Sequence, residues 1–167
     1  MKNKLQSGFV VDRQNNTLTI VREFNADRQL VWDCYTKQEL LEQWFAPKPF
    51  TTKTKSMDFR NGGHWHYAMV DPSGKEYWGY TEYHDIHPID YYRTLDAFSD
   101  SEGTINEDLP KAKWHLTFRD KGENTTVTTL VTYKTLNDLE TVINMGMEEG
   151  MMTTLEKLDE LLVGLRK

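Results

Sequence analysis

The chain has 167 residues, of which 38% are hydrophobic and 28% charged, and its net charge is -6. This length suits one domain with a sizeable core, and the acidic balance excludes a nucleic-acid binder, which needs a basic patch. No apolar run approaches the ~20 residues of a membrane span, and the first residues lack the apolar core of a signal peptide. The lone Cys34 fits a reducing compartment, so we expect a cytoplasmic protein that does not enter membranes.

Residues 1–8 are expected to form a flexible N-terminus and residues 9–167 a single domain, because no linker or repeat divides them. Residues 9–11 suit a short strand. Apolar and polar side chains then alternate over residues 17–24, which predicts a half-buried strand. The spacing becomes helical at residues 25–35, and Thr36 with Glu39 suggests a capping box for a second short helix, ended by Pro47.

From residue 50 to residue 135 the signals are those of strands and turns. Asn61-Gly62-Gly63 predicts a tight hairpin turn, because asparagine and glycine tolerate positive φ. The acidic residues 96–108 are expected to be a solvated loop. The predicted strands are residues 50–59, 64–70, 76–86, 91–98, 112–119 and 125–135.

The last segment, residues 137–165, carries an apolar row at helical spacing. Asn137 and Glu140 suit a capping box, and one continuous helix about 40 Å long is predicted. A second row contains Gly146 and Gly150, each costing roughly 1 kcal/mol against alanine in a helix. We interpret that cost as a sign of open space beneath the helix. The apolar row is Leu139, Ile143, Met147, Met151, Leu155, Leu158, Leu162 and Leu165.

Together these elements predict an α+β fold. An antiparallel sheet of six to seven strands would wrap around the long C-terminal helix, the element long enough to cover its concave face. The two short helices would follow the first strand and close one end.

Several stretches resemble the Activator of Hsp90 ATPase homologue-like (AHSA1-like) branch of the START/Bet v 1 superfamily, also called SRPBCC. They are Arg22-Glu-Phe24, Val31-Trp32, the run from Leu40 to Trp44, and Asp58-Phe-Arg60-Asn-Gly62-Gly63-His-Trp65. The resemblance implies a helix-grip fold with an internal apolar cavity. It also implies a role in binding small hydrophobic molecules or Hsp90-like partners. Phe45 and Met151 stand where the family often has tryptophan, so a relative's ligand is not carried over.

The expected cavity lies between the sheet and the last helix. Aromatic side chains on strand faces usually form core, but pockets are also commonly aromatic-lined with few polar groups. The residues expected to line the cavity and bind a ligand are Trp44, Trp65, Tyr67, Trp78, Tyr80, Trp114, Met147, Gly150 and Met151.

Other chemistries have weaker signals. His64 and His66 have a spacing that can chelate zinc, but a third ligand is not evident. With Trp65 and Tyr67 facing the core, both histidines should face solvent, so no metal or cofactor is expected. Cys34 falls on the apolar side of a helix, where cysteine is usually inert.

Hydrolase, phosphate-loop and dinucleotide motifs are missing from the sequence. No catalytic residue is therefore assigned, and an enzyme using scattered cavity residues is the least favoured alternative. The titratable residues that could face inward are Arg22, Arg60, Glu82 and His115, and structural salt bridges are the favoured use of both arginines.

The leading interpretation is a small-molecule binding protein with a cavity for a hydrophobic or aromatic ligand. The alternative is a protein-interaction module resembling the Hsp90 co-activator domain, with a chaperone or another protein as its partner. The sequence is compatible with a monomer or a homodimer.

Overall fold

The computed structural model describes residues 5–165, which form an α+β helix-grip fold. Eight strands in these residues make one antiparallel sheet in the order β1-β2-β8-β7-β6-β5-β4-β3. The strands are β1 Ser7–Asp12, β2 Thr17–Phe24, β3 Thr51–Asp58, β4 His64–Val70, β5 Glu76–His87, β6 Tyr91–Phe98, β7 Ala112–Lys121 and β8 Asn124–Tyr133. The helices are α1 Arg28–Thr36, α2 Gln38–Leu41, α3 Leu136–Asn144 and α4 Met147–Leu165.

The predicted count of six to seven strands was too low. β1 pairs along its whole length with β2, from Ser7 opposite Arg22 to Asp12 opposite Thr17. The two short helices therefore follow the second strand, not the first. Residues 1–8 were expected to form a flexible N-terminus. Ser7 and Gly8 already belong to β1, and residues 1–4 lie outside the described residues.

Helix α4 packs its apolar side on one face of the sheet. We call this the inner face, and it carries Ile20, Thr94 and Leu116. Leu155, Leu158 and Leu162 are each at most 3% exposed, and burying a leucine contributes roughly 1.5–3 kcal/mol. Arg22, whose side chain is 12% exposed, forms an ion pair with Asp159 of α4. Apolar packing and this ion pair together fix α4 across β2.

The prediction of one continuous C-terminal helix was wrong. The segment is broken between α3 and α4, where Gly146 has φ +91°. The Gly146 N–H donates to the carbonyl of Ile143 at 3.0 Å, as expected for a glycine that ends a helix in the left-handed conformation. The apolar row passes through the break, so spacing alone could not reveal it.

Both predicted capping boxes were also wrong. α3 begins two residues earlier than expected, with Thr135 instead of Asn137 as its cap, accepting from the Asp138 N–H at 3.0 Å. Thr36 is the last residue of α1, and its hydroxyl donates to the Trp32 carbonyl at 2.8 Å. The first helix does have a side-chain cap, Asp27, which accepts from the Leu30 N–H.

We expect Gly146→Ala to lower the free energy of unfolding by about 1–2 kcal/mol, because an L-residue is strained in the left-handed region. Denaturant unfolding measures this change. Gly164→Ala is the matched control, since Gly164 is helical, has open space around it, and should gain about 0.5 kcal/mol. If Gly146→Ala were as stable as the wild type, a continuous helix would be accessible after all.

Within residues 5–165, no helix combines the length and the apolar character needed to cross a bilayer.

Candidate functional site: two cavities beneath the C-terminal helix

Two cavities lie between the inner face of the sheet and the C-terminal helices. The small cavity has a volume of about 40 Å³ and extends towards β2 and α1. The large cavity has a volume of about 220 Å³ and extends towards β4, β5 and the break between α3 and α4. Four residues line both cavities: Phe45, Asp96, Trp114 and Met151.

The large cavity lies beside the break in the C-terminal segment. Val142 of α3 and Met147, the first residue of α4, both belong to its lining. Tyr77, another lining residue, is 45% exposed, so this end of the cavity reaches the surface. The break at Gly146 thus lets two helices contribute to one wall.

One wall of the cavities is aromatic. Trp65 and Tyr67, two residues apart on β4, stack with their ring centres 3.9 Å apart. Phe45, in the segment after α2, meets both rings edge-on at 5.0 and 5.7 Å. Gly79 makes room for this arrangement, since a Cβ there would lie 2.7 Å from the tip of Tyr67.

Asp96 is the acidic residue in the two linings. It lies near the end of β6 on the inner face, opposite Thr81 of β5 and Ala112 of β7. Thr94 donates a hydrogen bond to its carboxylate at 2.7 Å. Burial raises the pKa of Asp96 to about 7, against the opposing effect of hydrogen bonds from Thr94 and Thr81.

The sequence analysis missed Asp96 because it was grouped with the acidic loop. Asp96 is only partly buried by its accessible surface, although its carboxyl group lies deep in the molecule. We attribute this accessible surface to the cavities that Asp96 lines. The sequence did contain a signal. Tyr92, Thr94 and Asp96 occupy every second position of one strand, so their side chains share one face of the sheet. The remaining acidic residues of the stretch, such as Glu102 and Asp108, are exposed as expected.

Seven of the nine predicted cavity residues line one or both cavities. Tyr80 and Gly150 do not. A Cβ on Gly150 would point at Pro47, 3.7 Å from its Cβ, so Gly150 faces the segment after α2 and not the open space. The residues found in the linings are Trp44, Trp65, Tyr67, Trp78, Trp114, Met147 and Met151.

The expectation that His64 and His66 both face solvent was wrong for His66. It is 4% exposed, because the loop of residues 99–110 covers this outer face of the sheet. The His66 Nε2 lies 2.9 Å from the Asp100 carbonyl oxygen. The rings of Trp78 and Tyr80 pack against His66, with centres 4.9 and 5.7 Å from its ring centre. These two rings therefore belong to the outer face, although Trp78 borders the large cavity.

Of the four titratable residues that could face inward, Arg22 alone lines a cavity, and it is paired with Asp159. Arg60 pairs with Asp58 at the surface, so both arginines are used in salt bridges. Glu82 lies 2.6 Å from His84 Nε2 on the other face. His115 contacts Tyr91 on that face as well.

Cys34 is fully buried, and burial raises its pKa to about 12, as expected for an inert thiol. No group of three or more histidine, cysteine or acidic side chains in residues 5–165 is placed to hold a metal ion.

Comparison with solved structures supports the fold. A protein from Arthrobacter aurescens is 26% identical with a TM-score of 0.89, over 94% of this chain and 91% of that one. Protein Ms6760 from Mycobacterium smegmatis is 30% identical with a TM-score of 0.86, over 95% and 97%. A protein from Staphylococcus epidermidis is 32% identical with a TM-score of 0.82, over 93% and 94%.

No curated protein matches the chain. Residues 25–163 match the family model described as Activator of Hsp90 ATPase homolog 1-like protein. This match spans most of the chain and agrees with the helix-grip architecture, so the chain belongs to the Activator of Hsp90 ATPase homolog 1-like family.

Proposed function

We propose that the protein binds a small apolar or aromatic molecule in the large cavity. The observation that carries the proposal is a volume of about 220 Å³ lined mainly by aromatic and methionine side chains. An apolar cavity of roughly 150 Å³ in another protein is enough to admit benzene. The size therefore suits a ligand of one or two rings.

The large cavity reaches the surface at Tyr77, so water can enter it. Water among mainly apolar side chains finds few hydrogen-bond partners, and this costs free energy. Protein interiors are otherwise packed to the density of organic crystals. A ligand that fills the space would recover part of that energy, which gives the cavity a physical reason to be occupied.

The lining also suits an adaptable binding site. Met69, Met147 and Met151 contribute to the large cavity, and methionine adjusts its shape easily because it is unbranched and polarizable. Met151 stands where the family often has a rigid tryptophan. We therefore expect the site to accept several related shapes.

The alternative, a protein-interaction module, has less support from the surface. Large exposed apolar side chains in the described residues occur on several elements, including Val10 of β1, Tyr77 of β5 and Val163 of α4. Singly exposed apolar residues are normal on monomeric proteins.

Indole, a neutral two-ring probe, should stabilise the protein. At ten times its Kd it should add about 1.4 kcal/mol, which raises the Tm by roughly 3–6 °C for a chain of this size. Val142→Phe should reduce the shift, because the larger side chain enters the large cavity. Val163→Phe makes the same change at a site 54% exposed and should keep the full shift.

Native mass spectrometry of freshly purified protein provides an independent measurement, since a bound molecule would appear as added mass. The proposal fails if indole, 2-phenylethanol and 2-phenylethylamine, each at millimolar concentration, all leave the wild-type Tm unchanged. It also fails if Val142→Phe folds and shows an undiminished shift with these probes.

A further inference from the structure

Asp96 introduces a charge into an otherwise apolar site. Both cavities are lined by it, and it lies on the inner face, away from the solvated loop that follows β6. Thr94 donates to its Oδ1 atom at 2.7 Å, and the Thr81 side chain is also hydrogen-bonded to the carboxyl. An ionised carboxylate can accept about four hydrogen bonds, so acceptor capacity remains for a ligand.

No cationic side chain in the described residues forms an ion pair with Asp96. Arg22 is the basic residue in the two linings, and it is committed to Asp159. A buried carboxylate without a cation is costly. A ligand that brings a positive charge would remove that cost.

The rings around the cavity favour the same kind of ligand. Tyr67 and Phe45 of the aromatic wall line the large cavity, and Trp114, like Asp96, lines both cavities. Ring faces attract cations through their quadrupole, most strongly when the cation is removed from water. Aromatic faces together with an unpaired carboxylate complement an ammonium group attached to an apolar body.

We infer that the ligand of the large cavity is an organic ammonium ion with one or two rings, and that Asp96 is its counter-ion. This inference rests on the proposed function, because it specifies which ligand the same cavity takes. The ammonium N–H groups would donate to Asp96, and the rings of the ligand would pack on the aromatic wall.

The inference predicts a pH dependence. Burial raises the pKa of Asp96 to about 7, so lowering the pH protonates the counter-ion and weakens binding of a cation. Burial raises the pKa of five buried tyrosines around the cavities far above this range, and Arg22 is paired with Asp159. The charged and titratable groups facing this region are Arg22, Tyr35, Tyr67, Tyr83, Tyr92, Tyr133 and Asp159.

The test compares three probes that share a phenyl ring and a short chain: 2-phenylethylamine as the cation, 2-phenylethanol as the neutral form and 3-phenylpropanoate as the anion. Calorimetric titration at pH 7.5 should show the amine binding at least tenfold more tightly than the alcohol, and no binding of the anion. Affinity for the amine should fall at least tenfold at pH 5.5, while affinity for the alcohol should hold.

Asp96→Asn should abolish the preference for the amine and keep the affinity for the alcohol. Asp108→Asn is the matched control, since it removes one negative charge at an exposed loop position and should keep the preference. The pH dependence of the wild type tests the same counter-ion without any substitution.

The outcomes separate this inference from the proposed function. If the wild type binds the alcohol as tightly as the amine, or if Asp96→Asn keeps the preference, the counter-ion assignment is overturned and the binding cavity stands. If indole, the alcohol and the amine all fail to bind, both proposals are overturned.

Discussion

Replacing Gly63 by alanine is expected to lower the free energy of unfolding by about 3 kcal/mol or more. A Cβ at this position would lie 2.0 Å from the carbonyl oxygen of Asp58 and 3.0 Å from that of Arg60. Both are backbone atoms, so no side chain can swing aside to relieve the clash. The turn between β3 and β4 would have to change its path.

The consequences should reach the cavity, because this turn is tied to β5. The Gly62 N–H donates to the Tyr83 carbonyl, and the Tyr83 N–H donates to the Gly63 carbonyl, each at 2.9 Å. Tyr83 is 2% exposed and lines the small cavity. Moving the turn therefore disturbs both a hydrogen-bonded connection and one wall of the site.

Urea unfolding of Gly63→Ala measures the effect, with Gly8→Ala as the control. Gly8 also lies in the sheet, on β1, but a Cβ there would meet no atom within 4 Å, so its alanine variant should stay within about 0.5 kcal/mol of the wild type. Equal stability of the two variants would contradict the argument, because it would mean that the turn relaxes without cost.

Local patterns in the sequence were enough to predict most of the fold. The period of two in residues 17–24 corresponds to β2, with Leu18 and Ile20 buried as expected. The turn at Asn61-Gly62-Gly63 was predicted because asparagine and glycine tolerate positive φ, and Gly62 has a φ of +82°. These features depend on neighbouring residues alone, so a single sequence can specify them.

The break in the C-terminal segment could not be predicted in this way. Ile143, Met147 and Met151 keep a spacing of four residues across it, so the apolar row looks uninterrupted. A glycine inside such a row fits a continuous helix at a modest cost. It ends the helix only when its backbone turns left-handed, and the spacing of the apolar row does not specify that conformation.

Trp78 and Tyr80 show a second limit of pattern reading. Both faces of β4 and β5 carry aromatic or histidine side chains, since the outer face is itself covered by residues 99–110. An aromatic residue on such a strand can point to the inner or to the outer face of the sheet. Alternation shows that successive residues point to opposite faces, but it does not show which residue faces inward. The predicted site therefore contained two rings that pack around His66.

The misplacement of Asp96 arose from a different cause. A carboxylate is rarely buried unless it is paired, so an acid at the end of a strand was assigned to the following loop. The alternation with Tyr92 and Thr94 pointed inward, and the structure follows the alternation. A residue that departs from the usual burial preference in this way is a reason to suspect function.

Asp96→Asn is expected to raise the free energy of unfolding by roughly 4 kcal/mol at pH 8 and to leave it nearly unchanged at pH 4. The pKa of an aspartate in an unfolded chain is near 3.8, whereas burial raises that of Asp96 to about 7 in the folded protein. Between these values the unfolded chain loses its proton first. The contribution of Asp96 to stability therefore falls as the pH rises from about 4 to about 7, and stays low above that.

Full ionisation of a carboxyl shifted this far costs the folded state roughly 4 kcal/mol. Asparagine has a similar shape and does not ionise, so the variant lacks this loss. Several exposed carboxyls have lowered pKa values, including Asp71 and Asp100, and they give the opposite trend at acid pH in both proteins. The difference between wild type and variant, measured by urea unfolding from pH 4 to pH 8, isolates Asp96. A difference that does not change with pH would show that Asp96 ionises normally in the folded protein, and its proposed role as an unpaired counter-ion would then lose its energetic basis.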